Sequence, residues 1–148
     1  MQHFNIRVYG IWINDENEIL VSDERINDFQ FTKFPGGGLE FGEGIKDCLI
    51  REWREELNID IDIIEHFYTT DFFQISAFNP NAQIISIYYK VKPIFTNEIK
   101  IDWAESAFDF KHQDREEIRF RKIPLSIFSK ADVTLPIDKL VADMITKS

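Results

Sequence analysis

The sequence has a single cysteine, Cys48. A lone thiol cannot close an internal disulfide, so a disulfide-stapled secreted module is excluded and reducing cytoplasm is the expected compartment. Glycine and proline are scarce, with six and five residues, and no linker rich in either or in serine is visible. Without a linker, a repeat or a low-complexity tract, residues 1–148 are expected to form one domain. Long apolar runs are missing as well, since none approaches the roughly 18–20 residues of a membrane span. The stretch from Met1 to Ile13 alternates polar and apolar residues around Arg7 and has neither a continuous apolar core nor a small-residue cleavage site, so no secretion signal and no membrane association are expected. Positive charge is the minority sign: 17 basic against 26 acidic residues give a net −9. Such a field repels nucleic acid polymers and anionic lipid. It does not exclude a small phosphorylated substrate, because bound divalent cations reverse the field locally.

What is present suits a folded globule. The chain is 44% hydrophobic and 14% aromatic, with 14 phenylalanines, and 148 residues are enough to enclose a core. Phe4 to Ile13 reads as a strand, Asn14-Asp15-Glu16-Asn17 as a turn, and Glu18 to Ser22 as the returning strand of a hairpin. Thr32 to Phe34 is extended into Pro35, and Gly36-Gly37-Gly38 is expected to break regular structure. A helix is predicted from Ile45 to Leu57, where Ile45, Leu49, Ile50, Trp53 and Leu57 make one apolar stripe and Asn58 offers a left-handed cap. Ile59–Gln74 and Gln83–Ile94 are β-branched and aromatic, and read as two long strands joined around Asn79-Pro80-Asn81. Phe95 to Asp114 reads as a long loop with room for a short helix, Glu117 to Lys122 as a strand, and Leu125–Phe128 and Pro136–Thr146 as closing helices. This order of elements predicts an α/β or α+β sandwich.

The informative stretch is Gly36 to Ile59, GGGLEFGEGIKDCLIREWREELNI. On a helix Glu52, Glu55 and Glu56 share an arc of about 100° beside the apolar stripe. Like charges so placed repel by a few tenths of a kcal/mol per pair, and the helix dipole disfavours acids near the C-terminus. The trio makes sense if a divalent cation neutralises it. Oxygen-only ligands suit Mg²⁺, which keeps part of its shell for water and substrate phosphates. Glycines before the helix allow a sharp turn and close approach of the backbone, so that a carbonyl there can join the shell.

The segment resembles the signature of the Nudix hydrolases, Gly-x5-Glu-x7-Arg-Glu-U-x-Glu-Glu-x-Gly-U, with U a bulky aliphatic residue. Counting from Gly37, five residues lead to Glu43 and seven more to Arg51 and Glu52; Glu55 and Glu56 follow after Trp53 and Arg54. Trp53 takes an aliphatic place and must pack differently, and Asn58 stands for the glycine, a mild change because both accept a left-handed backbone. Neither departure touches a charged position. Phe34-Pro35-Gly36-Gly37-Gly38 and the ending EEIRFRKIPLSIF are also similar to the family's layout. The resemblance implies an α/β/α sandwich with a mixed central sheet. It further implies Mg²⁺, with Mn²⁺ as a substitute, on Glu52, Glu55, Glu56 and the Gly37 carbonyl. Arg51 would pair with Glu43 and orient the loop on the helix. The implied activity is cleavage of the diphosphate of a nucleoside diphosphate linked to another moiety. For the general base the first candidate is Glu56, with Asp114, Glu116 and Glu117 outside the signature. The alternative is a non-catalytic domain that senses a nucleotide or sugar and regulates a partner, and a purely structural interaction domain is a further rival.

Other residues carry less. Without its surroundings Glu-x-x-Glu-Glu is a solvated face, and the glycine run lacks the Gly-Lys-Ser/Thr of a phosphate-binding loop. Cys48 is expected to be a packed thiol, and His3, His66 and His112 are scattered singly without metal spacing. Phe72, Phe73 and Phe78 are expected in core or turn packing rather than as a base-stacking platform. Trp103 and Phe108 are better placed to touch a nucleobase or a partner, and aromatics of the long loop are compatible with a homodimer.

Overall fold

The computed structural model describes residues 1–112 and 116–147. It is a mixed α+β fold, as the order of elements predicts, with seven strands and two α-helices among the described residues. The chain forms two compact units. The first holds residues 1–11 and 35–99, and the second residues 12–34 and 100–148.

In the first unit β1 (His3–Ile11), β4 (Gly36–Gly38), β5 (Ile61–Thr69) and β6 (Ala82–Pro93) make a sheet in the order β4-β1-β6-β5. β1 runs parallel to β6, from His3 beside Ala82 to Ile11 beside Lys90, and antiparallel to β4. Flanked on both edges, β1 buries Val8, Tyr9, Gly10 and Ile11 in succession, the continuous burial expected of an inner strand. Helix α1 (Ile45–Leu57) covers this sheet with Cys48, Leu49, Trp53 and Leu57. It ends where predicted: Asn58 sits at φ 56°, ψ 38°, and its N–H donates to the Arg54 carbonyl.

In the second unit β2 (Glu18–Ile26), β3 (Phe29–Lys33) and β7 (Glu116–Pro124) form an antiparallel sheet in the order β3-β2-β7. Helix α2 (Pro136–Thr146) begins on its proline and buries Ile137, Val141, Ala142 and Ile145. No helix among the described residues is long and apolar enough to cross a membrane.

Four expectations change. The hairpin between the first two strands is confined to its tip, where Ile13 bridges Ile19 and the Leu20 N–H donates to the Trp12 carbonyl. Beyond it β1 and β2 join different sheets, because each finds longer ladders elsewhere. Gly36–Gly38 does not interrupt structure but forms β4, with Tyr9, Val8 and Arg7 opposite. The first of the two long strands stops at Thr69 rather than Gln74, and Leu125–Phe128 is a single turn closed on the Pro124 carbonyl rather than a helix. The segment after Phe95 is irregular apart from a 3₁₀ turn at Thr96–Glu98.

Candidate functional site

The signature residues gather where β4 passes α1, inside the first unit. β4 must be glycine. A Cβ on Gly36 would overlap the Val8 carbonyl oxygen, and one on Gly37 would overlap the Glu52 carboxylate. At Gly38 the nearest atom would be Arg7 Nη1 at 3.5 Å, an ordinary contact. The Glu52 carboxylate therefore lies directly on the Gly37 backbone, a closeness that only glycine allows.

Arg51, nearly two turns into the helix, reaches back over the loop between β4 and α1. It grips Glu43 with both arms of its fork, Nη2 to Oε1 at 2.7 Å and Nε to Oε2 at 2.9 Å. Its Nη1 reaches Glu52 at 3.0 Å, Glu55 at 3.3 Å and Glu40 at 3.7 Å, and its Nη2 donates to the Gly38 carbonyl at 3.2 Å. The pairing with Glu43 expected from the resemblance is thus present as a contact. It holds the Glu43 carboxyl down at about 2, helped by the Glu40 N–H and opposed by burial. The same bond to Glu43 raises Arg51 above its ordinary value.

One guanidinium faces four carboxylates here, so the cluster keeps a large negative excess. All the donors are oxygens, the chemistry that suits a hard divalent cation. Among the described residues, however, no three His, Cys, Asp or Glu side chains are gathered closely enough to hold a metal ion, and Arg51 bonds both Glu52 and Glu55. Glu56 lies on the same helix with one carboxylate oxygen buried.

Trp53, the departure from the aliphatic pattern, is fully buried. Its extra bulk is accommodated opposite Gly10, where a Cβ would lie 2.7–2.9 Å from the indole ring. Its Nε1–H donates to the Pro35 carbonyl at 3.2 Å. Cys48 is buried too, its thiol donating to the Gly38 carbonyl at 3.5 Å and pushed up to about 12 by burial and then by Glu43. Both the chemistry and the burial suit a packed thiol.

The outlying base candidates belong to the second unit or lie beyond description. Asp114 falls outside the described residues. Glu116 is exposed at the start of β7. Glu117 accepts from the Lys111 N–H at 2.7 Å and the His112 N–H at 2.9 Å, with Arg25 3.6 Å away. Burial pushes Glu117 upward, but these bonds outweigh it and leave the carboxyl below its usual value, a weak proton acceptor. Of the three phenylalanines expected in core or turn packing, Phe78 sits in a turn capped by Ser76, and all three are exposed rather than core. Trp103 lies under the Lys122 ammonium at 4.5 Å, and the Phe108 N–H points to Asp23 at 3.4 Å.

Sequence reasoning ended β2 at Ser22 and so missed a buried polar network in the second unit. Asp23, fully buried, accepts from Arg121 Nε and Nη2, both at 2.9 Å, and from Thr32 Oγ1 at 2.7 Å. Glu24 accepts from Lys33 Nζ at 2.8 Å and Ser22 Oγ at 2.9 Å. Arg119 donates to the Asp102 and Asp109 carbonyls and so fastens the long loop to β7. The available signal was the opposite charges themselves, Asp23 and Glu24 in β2 against Arg121 and Lys33 on the neighbouring strands.

Comparison with known proteins agrees with this fold. No curated protein matches the chain by sequence. Among solved structures, a MutT NUDIX hydrolase from Burkholderia pseudomallei superposes with a TM-score of 0.66 at 17% identity, covering 96% of this chain and 98% of that one. The ORF135 protein of E. coli gives 0.66 at 17% identity, over 99% and 93% of the two chains. A UDP-X diphosphatase gives 0.57 at 15% identity, over 99% of this chain and 64% of its own. At such identities these likenesses establish the fold alone. The family is established by sequence: the NUDIX domain pattern matches residues 3–137, running through β4, the Arg51 cluster and the acidic helix, and the chain belongs to the NUDIX domain family.

Proposed function

We propose that the protein is a metal-dependent hydrolase that cleaves the phosphoanhydride of a nucleoside diphosphate joined to another moiety. The observation that carries this reading is the excess of carboxylates around Arg51, beside a Glu52 that rests on the Gly37 backbone. Glu52, Glu55, Glu56 and the Gly37 carbonyl are the groups that would hold Mg²⁺, or Mn²⁺ in its place. When bound, the metal neutralises the diphosphate and lowers the cost of deprotonating water. The remaining work falls to this chain's residues. Arg51 keeps the loop carrying Glu43 on the helix and orients Glu52 and Glu55. Glu55, with a side chain 59% exposed, has room to leave Arg51 as a substrate arrives. Glu56, with one oxygen withdrawn from solvent, is assigned as the base that takes the proton from the attacking water. Glu117 is the poorer choice because its carboxylate already holds Lys111 and His112.

The net charge of −9 supports a small phosphorylated substrate over a nucleic acid polymer. The UDP-X diphosphatase that shares this fold is named for cleavage of the same class of diphosphate. We assign the whole matched region to one catalytic domain, in the reducing cytoplasm that suits a buried free thiol. A homodimer is included in the proposal on the strength of the exposed Phe95, and sedimentation equilibrium tests it. The decisive experiment incubates the purified protein and Mg²⁺ with nucleotide sugars, dinucleotides, ADP-ribose and nucleoside triphosphates, separating products by chromatography. At least one is cleaved, and Glu55→Gln and Glu56→Gln lose this activity with unchanged circular dichroism. Full activity in both variants would remove the assignment. Calorimetric binding of a nucleotide without turnover would make the domain a sensor instead.

A further inference from the structure

Trp53 stands where the family pattern has an aliphatic residue, and its surroundings show what the indole does there. The Pro35 carbonyl accepts two hydrogen bonds, from Trp53 Nε1 at 3.2 Å and from the Gly10 N–H at 2.8 Å. One bond comes from α1 and the other from β1, so the first residue of the Pro35–Gly38 segment is tied to both at one atom. Two residues on, Gly37 carries the backbone on which the Glu52 carboxylate rests, and Glu52 precedes Trp53 in the helix. The indole fills the space that Gly10 leaves open, and a methyl group on Gly10 would lie 2.7 Å from Nε1. An aliphatic side chain fills volume but donates no hydrogen bond.

We propose that Trp53 is a positioning residue: by bonding the Pro35 carbonyl it sets the height of the glycine strand over α1, and hence the approach of the Gly37 backbone to the Glu52 carboxylate. This rests on the assignment of Gly37 and Glu52 to the metal site. Gly10 is the partner of that choice, because only a residue without Cβ admits the indole.

The test separates volume from the hydrogen bond. Trp53→Phe keeps an aromatic ring and deletes the donor. Gly10→Ala with Trp53→Leu exchanges the volumes and also lacks the donor. Two readouts are taken: amide hydrogen exchange of residues 36–38, and Mn²⁺ binding to the substrate-free protein by electron paramagnetic resonance. Trp53→Phe is expected to speed exchange and weaken Mn²⁺ binding by about threefold to tenfold, the scale of one neutral hydrogen bond. Gly10→Ala alone lowers the melting temperature. The double variant recovers the melting temperature but not the Mn²⁺ affinity. If the double variant recovers both, Trp53 merely packs and the proposal is overturned. Unchanged exchange and affinity in a folded Trp53→Phe overturns it equally. Absence of Mn²⁺ binding in the wild type refutes the metal assignment and the metal consequence drawn here. The exchange readout then still reports whether the indole holds the strand, so the two failures are distinguishable.

Discussion

Replacing Gly37 by alanine places the sharpest demand on the site. The added Cβ would lie within 2.5 Å of all three atoms of the Glu52 carboxyl, where ordinary contact begins at 3.4 Å, so the carboxylate or the strand must recede by about 1 Å. The strand is held by its pairing with Val8, leaving the side chain as the part that yields. A displacement of about 1 Å in a positioned group costs on the order of 100-fold in rate. Overpacking of this kind costs about 1–3 kcal/mol of stability. Gly38→Ala is the matched control, because its Cβ meets nothing closer than 3.5 Å and its carbonyl remains available to Arg51 and Cys48. The assays are steady-state turnover of whichever panel compound is cleaved, Mn²⁺ affinity, and urea unfolding. Gly37→Ala should lose about two orders of magnitude in kcat and weaken metal binding, while Gly38→Ala stays close to wild type. Equal behaviour of the two variants would refute the argument that the Gly37–Glu52 approach builds the site.

Two further outcomes follow from the electrostatics. The Glu43 carboxyl titrates at about 2 rather than 4.5 because Arg51 holds it ionised. A depressed value means that its stabilisation is complete above pH 4.5 and is lost as pH falls toward 2. Thermal melts of the wild type and Glu43→Gln should therefore differ at neutral pH and converge through that window; a gap that widens on acidification contradicts the assignment. In the second unit, Asp23→Ala leaves the Arg121 guanidinium without its buried carboxylate and should cost about 3–5 kcal/mol in urea unfolding. A loss below about 1 kcal/mol would show that the network is accessible to water.

Local features were legible because their causes are local. Helix α1 spans Ile45–Leu57 and ends on a left-handed Asn58, and α2 starts on Pro136, as periodicity and capping chemistry predict. Helical hydrogen bonds close within four residues, so neighbours decide them. The signature charges were legible from their spacing, and the Arg51–Glu43 contact was expected from the family resemblance they carry. The strands were found with blunter edges: the apolar pattern of β2 ends at Ser22, while the strand runs on to Ile26 through the buried charges Asp23 and Glu24.

Periodicity and capping chemistry thus determined α1 and α2, and the resemblance of the spaced signature pointed to the family. Tertiary structure alone decided that β1 runs beside β6 rather than β2, and that three glycines make a strand. It also decided that Arg51 serves four carboxylates, that Gly10 admits an indole, and that Asp23 and Glu117 are committed to structural bonds. A strand's partners lie at any distance along the chain, and a side chain's charge says nothing of which group will answer it. Those choices are made only when distant segments compete for the same neighbours.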